Sequence, residues 1–384
     1  MSGTTTTQPA PTSTGLEGVV ATQTRLSHVD GLAGELIIGG YELKELAGHV
    51  SFEEAAHLLW KGALPSKDEL AALQREIAAL RSLPAEALHI VRAAKKASPI
   101  DALRMACATL SLDLANTDDI SHDTDLAEAK MLVARFPTIV AAHIRIAQGM
   151  EPIAPRADLP LAANFLYMAT GREPDPIAAR ALDTYWVTVI DHGMNASTFT
   201  ARVIASTRSD MVSALTGAIG ALKGPLHGGA PGPVLDMLKH IGSPENAESW
   251  LKAEMAAGRR IMGFGHRVYK VRDPRAEVLS RVAEEMSAAK LEDRRLFDTA
   301  RAVEQTALRV LEEAKPGRNL KTNVEFYTAL VLQSLGLQPR TFVALFACGR
   351  AAGWCAHVIE QHGIDRLIRP QSEYIGPRGL KVHR

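Results

Sequence analysis

Cysteine, strand-forming patterns and net charge are all scarce in this chain. Three cysteines in 384 residues, Cys107, Cys348 and Cys355, show no paired metal-ligand spacing and lie in apolar, helical contexts. They read as small core residues of a reducing, cytoplasmic compartment, not as a disulfide framework or a zinc site. Lys plus Arg and Asp plus Glu stand at 43 each. No overall field draws the chain to nucleic acid or to an anionic membrane, and any basic site must be local. Residues 342–359 approach the length of a membrane span, but Arg350 sits at their middle, and a charge there points to a buried helix of a soluble protein. The first residues are rich in Thr, Pro, Ser and Gln and lack a charged-then-apolar leader pattern, so a disordered tail is predicted over 1–15.

Period-two alternation is confined to the ends. Residues 17–41 predict short strands around a turn at Asp30-Gly31, with V-V-A-T-Q-T on one side and E-L-I-I-G-G-Y on the other. From residue 42 to 360 the apolar spacing is helical nearly throughout. Ser51 stands three residues before Glu54, the spacing of a capping box, and Ser66 can cap a helix over 67–81. Further helices are predicted at 85–96, 100–114, 125–149, 159–170, 176–190, 198–208, 211–222, 233–241, 246–257, 275–290, 294–314, 324–335 and 342–361, the last ending at Gly363. The fold class is therefore all-α, with minor β structure at both termini. At 46% apolar residues the chain can bury two cores. Loops rich in glycine and proline at 223–233 and 262–274 suggest hinges. They divide the chain into a large domain, 16–227 with 335–384, and a smaller inserted domain, 228–334.

The stretch K-G-P-L-H-G-G-A-P-G-P-V at 223–234 holds four glycines and three prolines around His227. It cannot continue a helix, and it presents one imidazole from a stiff loop. A second glycine loop, G-F-G-H, ends at His266 and is followed within nine residues by Arg267, Lys270, Arg272 and Arg275. Its G-x-G lacks a preceding strand and a third glycine, which argues against dinucleotide binding. Glycine amides and guanidinium groups together suit a phosphate or a carboxylate. Arg350 needs an anion, and residues 341–359 contain none. That anion is either a structural partner from elsewhere in the fold or a ligand. His192 ends an apolar helix in I-D-H-G-M-N, where it is either a cap or a ligand. Glu325 lies in the first turn of a helix, where the dipole favours the ionised carboxylate. H-G-G also occurs in esterase oxyanion holes, but no G-x-S-x-G accompanies it.

Taken in order, P-L-H-G-G-A, G-F-G-H-R-V-Y-x-x-x-D-P-R, N-V-E-F-Y and R-x-x-G-W-x-x-H…R-L-I-R-P closely resemble the citrate synthase family, in its dimeric form. G-L-E-G-V-V-A, D-H-G-M-N-A-S-T and R-P-Q-S-E-Y-I-G-P fit as well, so the resemblance runs from about residue 15 to 377. It implies condensation of acetyl-CoA with oxaloacetate and hydrolysis of the thioester to citrate and CoA. His227 would donate to the thioester carbonyl, His266 would polarise the ketone, and Glu325 would take the methyl proton. Arg275, Arg350 and His192 match ligands of oxaloacetate, and Arg369 matches an arginine given to a neighbouring subunit's site, which implies a homodimer. Met262, Gly263, Phe264, Gly265, Lys270, Arg318, Lys321 and Asn323 are candidate CoA contacts. Neither metal nor cofactor is implied, since acetyl-CoA enters as substrate. Two alternatives stay open: 2-methylcitrate synthesis from propionyl-CoA, and a CoA-binding relative without chemistry. The chain departs from the family pattern in two places. Glu325 stands where aspartate is usual, and Gly39 where many relatives carry arginine.

Overall fold

The computed structural model describes residues 14–16, 18–228, 231–289 and 294–382. Most of the tail expected at 1–15, Glu17 of the opening motif, and Gly229 and Ala230 of the central loop lie outside these residues.

An antiparallel sheet of three short strands, β1 (Ser27–Asp30), β2 (Glu35–Ile38) and β3 (Tyr41–Glu42), opens the fold. Ser27 pairs with Ile38 and Asp30 with Glu35, and a two-residue turn joins β2 to β3. Both turn residues, Gly39 and Gly40, have positive φ, as a tight hairpin with the strands' twist requires. A Cβ at Gly39 would lie 2.7 Å from Leu58 Cγ, so this turn has no room for the arginine many relatives place there. The sequence pattern misplaces the first strand. V-V-A-T-Q-T has no regular structure, and Val19 and Val20 are exposed. Pairing begins only at Ser27, opposite the apolar face of β2. At the other end, the segment from Arg366 onward forms no strand among the described residues. An extended segment becomes a strand only beside another with free backbone groups, and no such edge is provided here.

Sixteen helices follow. They are α1 (Leu43–Leu46), α2 (Phe52–Lys61), α3 (Lys67–Leu80), α4 (Ala85–Ala93), α5 (Pro99–Thr109), α6 (His122–Ala147), α7 (Leu161–Thr170) and α8 (Pro176–Val189). Then come α9 (Ala196–Ala205), α10 (Met211–Leu222), α11 (Pro231–Ile241), α12 (Ala247–Ala256), α13 (Pro274–Ala288), α14 (Arg294–Ala314), α15 (Val324–Ser334) and α16 (Phe342–Ile364). The expected capping boxes of α2 and α3 are both present, each serine accepting from the N3 amide while the N3 glutamate accepts from the cap. The stop of α16 differs from expectation: Gly363 is helical, and Asp365 adopts the left-handed cap with φ 49°. Aspartate tolerates that conformation better than most residues.

The apolar helix α16 is the core, packed on α2, α5, α6, α8, α9 and α10. Its interior explains why a charged residue is tolerated in so apolar a run. Indole N–H groups find acceptors along it: Trp60 donates to the Ala352 carbonyl at 3.0 Å and Trp186 to the Leu345 carbonyl at 3.1 Å. Trp354 of α16 itself donates to Ser197 Oγ at 3.2 Å. Close approach to the end of α8 depends on Gly353, where a Cβ would stand 2.0 Å from the Ile190 carbonyl oxygen. Helices α11 to α15 pack on one another, through the pairs α11·α15, α12·α14 and α13·α15, and meet α8 through α13 and α15.

Gly353→Ala is therefore expected to push α16 off the α8 terminus, at a cost of about 1–3 kcal/mol or more from overpacking. Thermal melts check it, and an unchanged melting temperature would show that the two helices can separate freely.

Candidate active site

The loop over 262–275 and the segment leading into α15 are laced together by backbone hydrogen bonds. Phe264 bridges Thr322, Gly265 N donates to the Lys321 carbonyl at 2.7 Å, Asn323 N to Gly263 O at 3.0 Å, and Asp273 N to Thr322 O at 3.1 Å. Asn323 adds two side-chain bonds. Its Nδ2 donates to Gly265 O at 2.9 Å, and its Oδ1 caps α15 by accepting from Glu325 N at 3.1 Å. Gly263 and Gly265 supply the positive φ that the loop needs. One lattice thus holds His266 and Glu325 in fixed relation, while Lys270 N ties the loop to the hairpin through Gly31 O at 2.8 Å.

Three imidazoles converge from different elements. His266 Nδ1 accepts from Val268 N at 3.0 Å and Tyr269 N at 3.1 Å. The proton of the neutral ring must then reside on Nε2, which becomes a donor. His192, just past α8, stacks edge-on against His266 with centroids 5.6 Å apart, and its Nε2 lies 3.1 Å from the Tyr269 hydroxyl. His227 follows α10; its Nε2 accepts from Ser197 N at 3.4 Å and lies 2.8 Å from Ser197 Oγ. With Nε2 so engaged, Nδ1 carries the donor hydrogen. Burial, then the nearby guanidinium groups, push all three well below the usual imidazole value. His227 falls to about 4, chiefly by burial and then by Arg350, and His266 to about 4, by burial and then by Arg275. For His192 the same causes act in the order burial, Arg275, Arg350. All three are neutral donors or acceptors at physiological pH.

Arg275, buried on α13, is gripped by Asp273, with Nε donating to Oδ1 at 3.0 Å and Nη2 to Oδ2 at 2.8 Å. The same aspartate caps α13 and accepts from Val324 N at 3.2 Å, so it joins α13 to α15. Arg350 is 1% exposed, yet among the described residues no carboxylate pairs with it. Its Nε donates to Val189 O at 2.5 Å, and its guanidinium lies 4.7 Å from the centre of the Phe346 ring. Burial lowers its pKa to about 10 despite the charge of Asp191. Asp191 is itself spoken for. It accepts from Ser27 Oγ and lies 3.1 Å from His357 Nε2, while His357 Nδ1 accepts from Arg202 at 2.8 Å.

Glu325 departs from the sequence reading. Its helix-start position predicts an ionised carboxylate, but Asn323 already caps that amide, and burial outweighs both the dipole and Arg275, pushing Glu325 up to about 8. The residue keeps partial contact with solvent, yet no described donor reaches its carboxyl oxygens.

The structure thus brings His192, His227, His266, Arg275, Arg350 and Glu325 into one electrostatically linked cluster. Phe264 is buried and Met262 half-buried beside it, and exposed Lys270 and half-buried Lys321 stand at the edge of the lattice, with Arg318 exposed three residues before Lys321. Arg369 is not part of the cluster; it is exposed in the segment beyond α16. Sequence reading passed over Ser197, Tyr269, Asp273 and the Asp191–His357–Arg202 chain. Only Asp273 carried a signal, the two-residue spacing to Arg275. A cavity of about 310 Å³ lined by Arg272, Glu304 and Tyr327, among others, touches none of the three histidines.

Glu325 holds its proton more tightly folded than unfolded, so the stability it contributes is complete below its ordinary value of 4.5 and lost as pH rises through about 8. Glu325→Gln cannot ionise. It should melt higher than the parent near pH 9 and differ much less near pH 5; equal differences at both would refute the raised value.

Comparison with known proteins agrees with this geometry. The family model described as "Citrate synthase, C-terminal domain" matches residues 15–371. The citrate synthase of Haloferax volcanii is 40% identical over 372 residues, covering 95% of this chain and 96% of that one. A citrate/2-methylcitrate synthase of Bacillus subtilis is 39% identical over 368 residues, covering 95% and 97%. Among solved structures, a ternary complex of carboxymethyl coenzyme A and oxaloacetate with the citrate synthase of Thermoplasma acidophilum superposes with a TM-score of 0.89 at 31% identity, covering 97% of this chain and 98% of that one. With the motifs, the helical fold and the clustered histidines in agreement, this chain belongs to the citrate synthase family of acyltransferases.

Proposed function

We propose that this enzyme condenses acetyl-CoA with oxaloacetate and hydrolyses the resulting thioester to citrate and CoA. The observation that carries the reading is the convergence of two neutral imidazole donors and two buried cations on an unpartnered carboxyl group. His266 Nε2–H polarises the ketone of oxaloacetate, whose carboxylates are held by Arg275 and Arg350, with His192 beside them. His227 Nδ1–H donates to the thioester oxygen as the methyl group loses its proton to Glu325, and the enol carbon then attacks the ketone. Neutral imidazoles suit this task, because a donor near pKa 4 in the resting chain stabilises developing negative charge without protonating it outright. Met262, Gly263, Phe264, Gly265, Lys270, Arg318, Lys321 and Asn323 hold the CoA moiety.

The group α11 to α15 acts as the smaller domain, 228–334, and closes on the larger one when oxaloacetate bridges Arg275 of α13 and Arg350 of α16. Arg369 completes the site of a partner subunit. Its segment is exposed and carries exposed Leu367, Tyr374, Ile375, Leu380 and Val382, apolar groups suited to burial in a dimer. The enzyme works in the cytoplasm, in keeping with its three buried free cysteines.

Propionyl-CoA is the competing acyl donor, since one relative is named for both reactions and one methylene is discriminated by only about 1–3 kcal/mol. Thiol release measured with each thioester and oxaloacetate decides this. A larger kcat/KM for acetyl-CoA is expected, and the reverse order would make the enzyme a 2-methylcitrate synthase. Glu325→Gln should lower turnover by about 10²–10⁴-fold with oxaloacetate affinity nearly intact; no thiol release from the parent would leave a binding protein only.

Mixing an Arg369→Ala chain with a His266→Ala chain should restore activity, because one site of the heterodimer then lacks neither residue. Heterodimers shown to form without recovering activity would exclude a shared site.

A further inference from the structure

Tyr185 of α8 is fully buried, and its hydroxyl has no hydrogen-bond partner among the described residues. A phenol O–H left unpaired in a core is unfavourable, and phenylalanine would fill the same space without that penalty. The position of the ring limits what the hydroxyl can meet. Tyr185 lies one helical turn before Val189, whose carbonyl receives Arg350, so it shares the stripe of α8 that faces the site. Helix α8 packs on α13, α15 and α16, the helices that carry Arg275, Glu325 and Arg350. The titratable groups acting on the phenol are Glu325 from α15, Arg350 and Cys348 from α16, and Arg275 from α13. Of these only Glu325 is a strong acceptor, and no described donor reaches its carboxyl group. A buried donor without an acceptor thus faces the same cluster as an acceptor without a donor.

We infer that the Tyr185 hydroxyl donates a hydrogen bond to the ionised Glu325 carboxylate and holds it in line for proton abstraction. Tyr185 keeps its own proton throughout; the methyl proton goes to Glu325 alone. The need is specific to this chain. Glutamate has one more rotatable bond than aspartate, and a carboxylate misplaced by about 1 Å can lose roughly a hundredfold in rate. A donor fixed in the α8 core removes that freedom. It also favours the charged form, opposing the burial that raises Glu325.

The inference rests on Glu325 being the base, so the test pairs two variants. For Tyr185→Phe, kcat near pH 7 should fall about tenfold with KM for oxaloacetate within about twofold. The acid limb of the kcat–pH profile should move up by about one unit, as expected when a hydrogen bond to a charged group is lost. The melting temperature should not fall, because the resting chain makes no bond through this oxygen. Glu325→Gln is measured alongside. If it is inactive while the Tyr185→Phe limb stays in place, Tyr185 has no positioning role and the base assignment survives. Turnover of Glu325→Gln within a few-fold of the parent removes both. A marked fall in the melting temperature of Tyr185→Phe also overturns the inference, since the hydroxyl would then have a structural partner.

Discussion

A guanidinium group buried in the core without a carboxylate beside it is the constraint around which this molecule is arranged. Removing such a charge from water is costly, and an uncompensated one would ordinarily be rejected. Arg350 is retained by a carbonyl at the end of α8, by the face of Phe346, and by the longer-range charge of Asp191. None of these neutralises it. Asp191 could have done so, but Ser27, His357 and Arg202 fix it in a separate chain of hydrogen bonds. The result is a positive potential held open inside an apolar interior, in a chain whose overall charge is zero.

That potential sets the state of everything near it. Arg350 and Arg275 keep His227 and His192 neutral, and Arg275 does the same for His266. The ring nitrogens are then assigned by local bonds alone: two loop amides claim Nδ1 of His266, and Ser197 claims Nε2 of His227. Arg275 differs from Arg350 in having its own aspartate, which fixes its orientation and at the same time stitches α13 to α15. One cation is oriented and the other is left uncompensated, a division suited to a ligand with two carboxylates.

Much of this was legible in the sequence because helices advertise themselves through spacing and caps. Ser51 and Ser66 marked their helix starts, and α10 and α14 were bounded to the residue. Strands were less legible: Val19 and Val20 have strand-like side chains but no partner, and pairing is a property of two segments. Within the site, histidines beside glycines and an arginine in an apolar helix stand out because each breaks a local rule. Ser197, Tyr269 and His357 break none. Serine near a helix start, tyrosine in a loop and histidine in a helix are all ordinary, and only three-dimensional proximity gives them a role. The raised pKa of Glu325 was illegible for the same reason, since burial is set by distant segments.

The N-terminal hairpin lies far from the site in sequence but is tied into it. Ser27 donates to Asp191 next to His192, Gly31 O receives the amide of Lys270, and Arg25 N donates to Glu360, 335 residues away on α16. Contacts of such separation form only after most of the chain has been made, and loop closure over that length slows them further. During synthesis on the ribosome, the helical bulk can assemble well before the histidine cluster is set. The positive interior therefore becomes a working site only when both ends of the chain have arrived, so an unfinished or clipped chain can be folded and still unable to hold its substrate.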